Sequence, residues 1–494
     1  MKSVAKFAKQ YVVSHTTFTH PLIEQWDTLV IDENLKLLFD AKLTVSTAKN
    51  AANRIICLGD ILNPYQPEHS NQEVVEYLVN NTSDYDTFEK LIYTLSGRWV
   101  VIIKISDEIR LYHDAAGLKP AFYSKDKTDN IVIASQPALL AELGFCQKNM
   151  TQYNEFGQLN HSNSWPIHVL PYNNVTQLIP NHYLDLENIK ATRFWPQKKV
   201  DVVSVASTTE KLAENLKGTI KALTIRKSCT MSITGGYDSR TLLSCALNSV
   251  DNINFFTVVS DYSPSYDVDV PRLISSKYQL RHQFIYKATV NKSEQANIAT
   301  LSSNVGGMYY DRSMKNIYAF ASAIGENTHL PGSISEIARC YYYPYGPHLL
   351  NFTAKKLAKL SGFKNNPYAI KGLSIWLNNL PKNLPYYILD LLYWEQRLGV
   401  WASCGLTFRE GVIDQIPPMN NREYMELSLS MPMQRRLPPH KLTRDIISLQ
   451  DPSLVDIHFN GESGSTFFDK HLSIKQLKNF ITRVIKKLPL KIFV

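Results

Sequence analysis

The sequence predicts a mixed fold, α/β and α+β, with a strand-rich first part and an α/β second part. Up to about residue 195, short apolar runs are separated by Asn, Pro and Asp clusters, which is typical of strands and turns. From about residue 204, helices with one apolar face alternate with short strands, which indicates a parallel sheet covered by helices. The length of 494 residues, with 44% hydrophobic and 20% charged residues, suits two or three folded domains and excludes a disordered chain.

The first part, residues 1–195, is predicted to contain strands with two helices among them. Two apolar runs, Trp99–Ile105 and Ile109–His113, flank a polar turn at Ser106–Glu108 and indicate a hairpin. The other predicted elements are the strands Thr28–Ile31, Arg54–Leu58 and Ile131–Ala134 and the helices Glu73–Val79 and Thr87–Leu95. The Trp195-Pro196 pair and the polar stretch after it mark the boundary.

The second part, residues 204–494, begins with a βαβ pattern. The predicted order is a helix, the strand Cys229–Ile233, a loop, a helix, the strand Asn254–Ser260 and a helix over residues 270–280. The first of these helices carries apolar residues on one face, at Leu212, Leu216, Ile220 and Leu223. Beyond about residue 345 the pattern is mainly helical, including Ile388–Trp401 and Tyr424–Met431.

The loop Thr234–Ser239 (TGGYDS) has the composition of an anion-binding turn. Between a strand and a helix, backbone N–H groups and the positive end of the helix dipole point at one spot. The two glycines permit close approach, and Asp238 offers a carboxylate suited to Mg²⁺. The loop has neither the GxxxxGK[ST] nor the GxGxxG spacing. It is either a polyphosphate cradle with a cation site or an ordinary glycine-rich turn.

This segment resembles the SGG-x-DS pyrophosphate loop of the asparagine-synthetase family, with Thr234 in place of the usual Ser and Arg240 after the motif. In that family the loop binds ATP and releases pyrophosphate when a carboxylate is adenylated. The resemblance implies an adenine-nucleotide α-hydrolase-like (PP-loop) sheet with a helical extension. It also implies ATP-binding residues in this loop and its neighbours, namely Thr234, Gly235, Gly236, Tyr237, Asp238, Ser239, Val258 and Gly332.

Two further segments resemble the same family. Leu330–Glu336 is similar to its second phosphate loop, which implies Asp238 and Glu336 as Mg²⁺ ligands and Glu336 as a catalytic residue. The usual Asp-Glu pair is reduced here to Glu336 and Ile337, and Glu336 is alternatively a helix-start acid. Lys441 falls at the family's Lys-x-x-x-Arg segment, although the spacing to Arg444 is one residue short. The resemblance implies that Lys441 is a catalytic lysine; the alternative is a surface cation. Three charged residues of the helical region are expected to be structural, namely Glu395, Arg397 and Arg422.

The first part resembles the family's glutaminase-type domain, an Ntn-hydrolase-like αββα sandwich, through Ser96–Ile103, Leu111–Pro120 and Ile133–Gln136. Active members use an exposed N-terminal cysteine, whereas this sequence starts Met1-Lys2 and lacks the Asn-Gly-Glu segment. The resemblance therefore implies a degenerate glutamine amidotransferase-like domain without glutaminase activity.

The resemblance implies an ATP-dependent carbon–nitrogen ligase that forms AMP and pyrophosphate. It would adenylate an unidentified carboxylate and pass the acyl group to ammonia or a substrate amine. A catalytically inactive scaffold or partner protein is the main alternative, favoured by the shortened lysine segment and the reduced second loop. Nucleotide or RNA thiolation is a third, weakened by the lack of a Cys pair or an added RNA-binding module.

The net charge and the cysteine pattern limit which partners and which cellular compartment we expect. The net charge of +9 comes partly from the last 26 residues, which carry seven Lys/Arg and one Asp and have roughly helical apolar spacing. That tail is predicted to be a packed helix or one that contacts an acidic membrane or partner. No nucleic-acid-reading motif and no run near the ~20 residues of a membrane span is present. Six cysteines without CxxC spacing indicate free thiols, and no signal-peptide pattern opens the sequence, so we expect a cytoplasmic protein.

Overall fold

A computed structural model describes residues 6–15, 20–159, 164–200, 204–259, 266–286, 291–307, 317–342 and 352–459. The predicted basic helix at residues 469–494 lies outside these ranges. Within them, no helix combines the length and apolar character needed to cross a membrane. All six cysteines are described, and each is a free thiol, as predicted; only Cys146 is not fully buried.

The strands of the first part form two antiparallel sheets. In chain order they are β1 (Tyr11–Ser14), β2 (Asp27–Asp32), β3 (Leu35–Phe39), β4 (Val45–Lys49), β5 (Asn53–Leu62), β6 (Ser96–Ile105), β7 (Glu108–His113), β8 (Phe122–Lys125), β9 (Ile131–Ala134), β10 (Thr176–Gln177), β11 (His182–Asp185) and β12 (Lys190–Arg193). The first sheet has the order β10-β8-β9-β1-β3-β2 and the second the order β12-β11-β7-β6-β5-β4.

Apolar side chains from the two sheets meet in one core, where Val13 and Ile133 of the first sheet share a cluster with Leu58 and Ile102 of the second. The helices of this part are α1 (Asn71–Asn81), α2 (Tyr85–Ile92), α3 (Pro137–Glu142) and α4 (Met150–Leu159). Helices α1 and α2 cover the other face of the second sheet, and α3 packs on the other face of the first. The layers therefore run helix, sheet, sheet, helix. The Ntn-hydrolase relationship itself stays a prediction, as does the domain boundary.

The predicted hairpin and the two predicted helices are present. Strands β6 and β7 pair from Ile105↔Glu108 onward, so the turn contains two residues rather than three. Ser106 adopts a φ of 52°, the left-handed conformation that a two-residue hairpin turn requires. Helix α1 begins at a capping box in which Ser70 and Glu73 each accept a hydrogen bond from the other's backbone N–H.

The second part contains a four-stranded parallel sheet covered by helices. Its strands are β13 (Cys229–Ser232), β14 (Ile253–Val259), β15 (His282–Tyr286) and β16 (Thr328–Leu330). Its helices are α5 (Val205–Arg226), α6 (Tyr237–Ala246), α7 (Tyr266–Lys277), α8 (Lys292–Asn304), α9 (Ile317–Ile324), α10 (Ala354–Leu360), α11 (Pro367–Asn378), α12 (Ile388–Leu392), α13 (Ser403–Arg409), α14 (Arg422–Ser430), α15 (Met433–Arg436) and α16 (Lys441–Gln450). The mixed α/β class and the predicted parallel sheet are confirmed.

The strand order β15-β14-β13-β16 places β13 beside β16. The chain leaves β13 towards β14 on one side, while β16 pairs with β13 on the other. Ligands of open parallel sheets bind where the strand order reverses, outside the carboxyl ends of the strands. The loops after β13 and β16 therefore meet at such a point.

The predicted helix Ile388–Trp401 is present but is not uniform. Helix α12 continues into a π-helix over Tyr393–Ala402 and then into α13. A π-helix is wider than an α-helix and is often found at functional sites. In this chain the π-helix faces the two loops described next.

Candidate active site

The loop after β13 is closed by its own hydroxyl groups. The backbone N–H of Thr234 donates to Ser239 Oγ at 3.1 Å, and the N–H of Gly236 donates to Thr234 Oγ1 at 3.1 Å. The two hydroxyl oxygens lie 2.7 Å apart. Gly236 is the N-cap of α6, and no side chain caps that helix end. The loop thus presents a helix N-terminus with hydroxyl groups at its mouth, the arrangement that binds phosphate in other proteins.

The loop after β16 packs directly against the first. A Cβ built on Gly332 would lie 2.8 Å from Asp238 Cβ, so only glycine allows this approach. Ile334 has a φ of 82°, which is strained for a β-branched residue, and the 3₁₀ helix Ser335–Arg339 follows it. This strained turn presents Glu336 and Arg339 towards the first loop.

Asp238 is the point at which the two loops are bonded. Ser335 Oγ and Arg339 Nη2 both donate to Asp238 Oδ1. Burial raises the pKa of Asp238 to about 6; the Arg339 guanidinium opposes that rise and the nearby Glu336 carboxylate adds to it. The side chains of Asp238 and Arg339 are 35% and 18% exposed, so the pair lies at the edge of solvent.

The π-helix supplies the third side of the site. Tyr393 Oη donates to Glu336 Oε2 at 2.7 Å, and burial followed by the Glu336 carboxylate raises the pKa of Tyr393. One turn further on, Arg397 places its guanidinium carbon 3.4 Å from the centroid of the Trp401 ring. Among the described residues, Arg397 forms no ion pair with a carboxylate within 4.0 Å. Arg397 also lines the cavity described next, so its charge faces a ligand bound there.

A cavity of about 340 Å³ opens between the two loops and the π-helix. Five of the sequence-predicted residues line it, namely Thr234, Asp238, Ser239, Gly332 and Glu336. Tyr393, Arg397 and Trp401 line it from the opposite side. A larger groove of about 830 Å³ runs along α5 and α16, but none of the predicted site residues line it.

The other predicted site residues lie elsewhere. Gly235, Gly236 and Tyr237 belong to the first loop but do not line the cavity, and Tyr237 stacks on Phe459 at 4.2 Å. Val258 is 40% exposed in β14 and does not line the cavity.

Lys441 is exposed at the first turn of α16 and does not line the cavity either. The residue of α16 that reaches the first loop is Arg444, whose Nη2 donates to Tyr237 Oη at 3.3 Å. The catalytic role of Lys441 therefore rests on the sequence resemblance alone.

Sequence reasoning missed the contribution of the π-helix. Arg397 is expected from the sequence to form a structural ion pair; within the described part of the chain it pairs with no carboxylate, stacks on Trp401 and lines the cavity. The same expectation is right for Glu395, which is buried and accepts hydrogen bonds from Arg193 at 2.5 and 2.8 Å. Arg422 is buried, donates to Asn181 and lies over aromatic rings. Tyr393, Arg397 and Trp401 recur at every fourth position, but the same segment also carries the polar Glu395 and Gln396, so the spacing by itself does not indicate this face.

The donor set does not fit a Mg²⁺ ion held by the protein. Asp238 Oδ1 is taken by two hydrogen-bond donors and Glu336 Oε2 by Tyr393. No group of three His, Cys, Asp or Glu side chains with metal-binding geometry occurs in the part of the chain that the structure describes. Mg²⁺ at nucleotide sites is bound by one or two carboxylates together with substrate phosphates, and here Arg339 already pairs with the Asp238 carboxylate.

We expect Gly332→Ala to separate the two loops. Its Cβ would overlap Asp238, and overpacking of this kind costs about 1–3 kcal/mol. The free energy of unfolding, measured in urea, should fall by that amount. Gly405→Ala in α13 is the matched control, because nothing lies within 4 Å of its added methyl group, so no loss is expected there. Equal losses in both variants would contradict the close packing at Gly332.

Comparisons with known proteins leave the family open. No protein-family model matches the chain, and no curated protein matches it. Among solved structures, glutamine phosphoribosylpyrophosphate amidotransferase from B. subtilis, complexed with ADP and GMP, is 10% identical, covers 69% of this chain and 73% of its own, and has a TM-score of 0.25. NMN synthetase from Francisella tularensis is 15% identical, covers 48% of this chain and 97% of its own, and has a TM-score of 0.20. Likenesses this weak carry no argument about activity.

Proposed function

We propose that this chain is an ATP-dependent ligase that joins a carboxylate to an amine through an acyl-adenylate. The observation that carries the proposal is the meeting of the two glycine-containing loops and Arg397 around one cavity. The sequence resemblance to the asparagine-synthetase family supports it. In the first step a carboxylate oxygen attacks the α-phosphorus of ATP, and pyrophosphate leaves. In the second step an amine attacks the acyl carbon, and AMP leaves.

The residues of the cavity suit these two steps. The N–H groups at the start of α6 and the hydroxyl groups of Thr234 and Ser239 would hold the phosphates. Arg397, whose guanidinium group lies over the Trp401 ring, would bind pyrophosphate oxygens or the substrate carboxylate. The Glu336 carboxylate, already bonded to Tyr393 Oη, would take the proton that the attacking amine loses.

Binding of ATP is the direct test. We expect ATP at 100 times its Kd to stabilise the parent protein by about 2.7 kcal/mol, seen as a rise in Tm. Asp238→Ala should abolish the rise, because it removes the carboxylate that joins the two loops. Asp129→Ala, at an exposed turn of the first part, is the matched control and should keep it. Carboxylate-dependent exchange of labelled pyrophosphate into ATP would then identify the acid.

An inactive scaffold is the second candidate, and two observations favour it. Asp238 is already bonded to Arg339, and Lys441 lies away from the cavity. A folded parent protein whose Tm does not change with ATP would support the scaffold and contradict the ligase.

We also propose that the first part does not hydrolyse glutamine. Cys57 lies in β5 and is fully buried, and burial raises the pKa of its thiol, so it is not poised as a nucleophile. Incubation with glutamine should release no glutamate above background, as measured by a coupled glutamate assay. Release that is lost in Cys57→Ser would contradict this expectation.

A further inference from the structure

Arg339 lies beside Asp238, at the position that a metal ion bound to this carboxylate would need. Its Nη2 donates to Asp238 Oδ1, and it also lies 3.5 Å from Ser335 Oγ, which donates to the same carboxylate oxygen. The guanidinium carbon is 5.8 Å from the centroid of the Tyr237 ring. One guanidinium is therefore placed between the two loops and against the first.

The backbone holds Arg339 in this position. Arg339 ends the 3₁₀ helix, and Cys340 after it adopts a φ of 55°. The carbonyl of Ile337, two residues earlier, accepts a hydrogen bond of 2.8 Å from the fully buried Arg436. Arg339 is thus preorganised, because its helix is anchored from behind rather than by a ligand.

The charges of the site are balanced by arginine. Asp238 and Glu336 contribute two carboxylates and Arg397 one guanidinium to the lining of the cavity, and Arg339 adds a second guanidinium, paired with Asp238. A guanidinium is always charged and binds phosphate oxygens through several N–H donors. A polyphosphate that enters between the loops would accept hydrogen bonds from these guanidinium groups without any metal ion held by the chain.

We infer that Arg339 takes the place of a protein-bound Mg²⁺ at these loops, so that a nucleoside triphosphate binds this chain without a divalent cation. The inference rests on the proposed function, because it concerns the same site. It specifies Arg339 as a binding residue and the metal-free triphosphate as a competent ligand.

The test measures ATP affinity by isothermal titration calorimetry in excess EDTA and in excess MgCl₂. We expect the parent protein to bind ATP in both conditions, with Kd values within about threefold, a difference smaller than one charged hydrogen bond is worth. Arg339→Gln should weaken binding in EDTA by about tenfold or more, the value of one charge-assisted bond. MgCl₂ should restore part of that loss, because Asp238 is then free for the ion. Arg339→Lys should keep most of the EDTA affinity.

Controls separate the outcomes. Arg54→Gln, on β5 of the first part, removes an arginine whose Nη1 donates to the backbone carbonyl of Ile31 and which does not line the cavity, so it should change neither Kd. Circular dichroism melting shows whether each variant is folded. If the parent binds ATP only with MgCl₂, or if folded Arg339→Gln matches the parent in EDTA, the inference is overturned while the ligase proposal stands. If the folded parent binds ATP in neither condition, both are overturned.

Discussion

Glu410→Ala is expected to lower the free energy of unfolding by about 3–5 kcal/mol, the cost of leaving buried charges without their partner. Glu410 Oε1 lies 3.0 Å from Lys119 Nζ and 3.7 Å from Arg98 Nη1, and the three side chains are 7%, 2% and 4% exposed. Gln10 Nε2 donates to its other oxygen at 3.3 Å. These contacts join the first part to the residue that follows α13 in the second part, so the loss should reduce the stability of both.

The lowered pKa of Glu410 predicts that the stability of the protein depends on pH. Burial opposes its ionisation, but Lys119, Arg98 and Lys9 outweigh burial and hold the pKa of Glu410 below its ordinary value of 4.5. A carboxyl group whose pKa is lowered in the folded state stabilises fully above its unfolded pKa and loses that contribution as pH falls through the folded pKa. The parent should therefore lose stability below about pH 4.5, and Glu410→Ala should lose less over the same interval.

Urea unfolding between pH 3.5 and 7 measures both effects. Glu142→Ala is the matched control, because Glu142 pairs with Lys6 at the surface, where the side chains are 41% and 37% exposed. Surface pairs contribute about 0–1 kcal/mol. If Glu410→Ala lowers the free energy of unfolding no more than Glu142→Ala does, the buried cluster does not hold the two parts together.

Arg436→Met is expected to have a second large effect, on stability and on the site together. Arg436 makes a two-pronged ion pair with Asp390, at 2.6 and 2.9 Å, and also donates to the carbonyl of Ile337. Both charged side chains are almost fully buried. Leaving Asp390 unpaired should cost about 3–5 kcal/mol. The 3₁₀ helix that carries Glu336 and Arg339 also loses its anchor, so ATP affinity should fall.

Two variants separate these effects. Arg435→Met is the matched neighbour: Arg435 pairs with Asp445 at a partly exposed position, where the side chains are 24% and 31% exposed, so a loss of about 1 kcal/mol or less is expected. The double variant Asp390→Leu/Arg436→Met removes both buried charges and should regain much of the stability. It still lacks the bond to Ile337, so ATP affinity, measured by calorimetry, should stay low. Full recovery of ATP affinity in the double variant would contradict the anchoring role.

Local patterns of the sequence predicted much of the fold. The β6–β7 hairpin is visible because its two apolar runs are adjacent, and only its turn is shorter than expected. Helix α5 is visible because Leu212, Leu216, Ile220 and Leu223 recur at helical spacing, and all four are buried. The loop Thr234–Ser239 is visible for the same reason, since its strand, glycines and helix follow one another directly.

Contacts between residues that are distant in the sequence could not be predicted from local patterns. Arg339 and Asp238 are 101 residues apart, and nothing in either segment indicates that they pair. The orientation of Arg397 depends on a π-helix, whose wider turn moves residues off the face that α-helical spacing predicts. Lys441 could be aligned with a family segment, but its exposure depends on how α16 packs beside Tyr237.

The amino-acid sequence by itself determined the mixed α/β class and the glycine-containing loop after β13, because each depends on residues close together in the chain. Only the tertiary structure decided which side chains share the cavity and which charges are already paired. Those outcomes depend on contacts between β16, the π-helix and α6, which are distant in sequence. The neutralisation of Asp238 by Arg339 is such an outcome, since a carboxylate in a loop is open to a metal ion only if no cation of its own chain reaches it first.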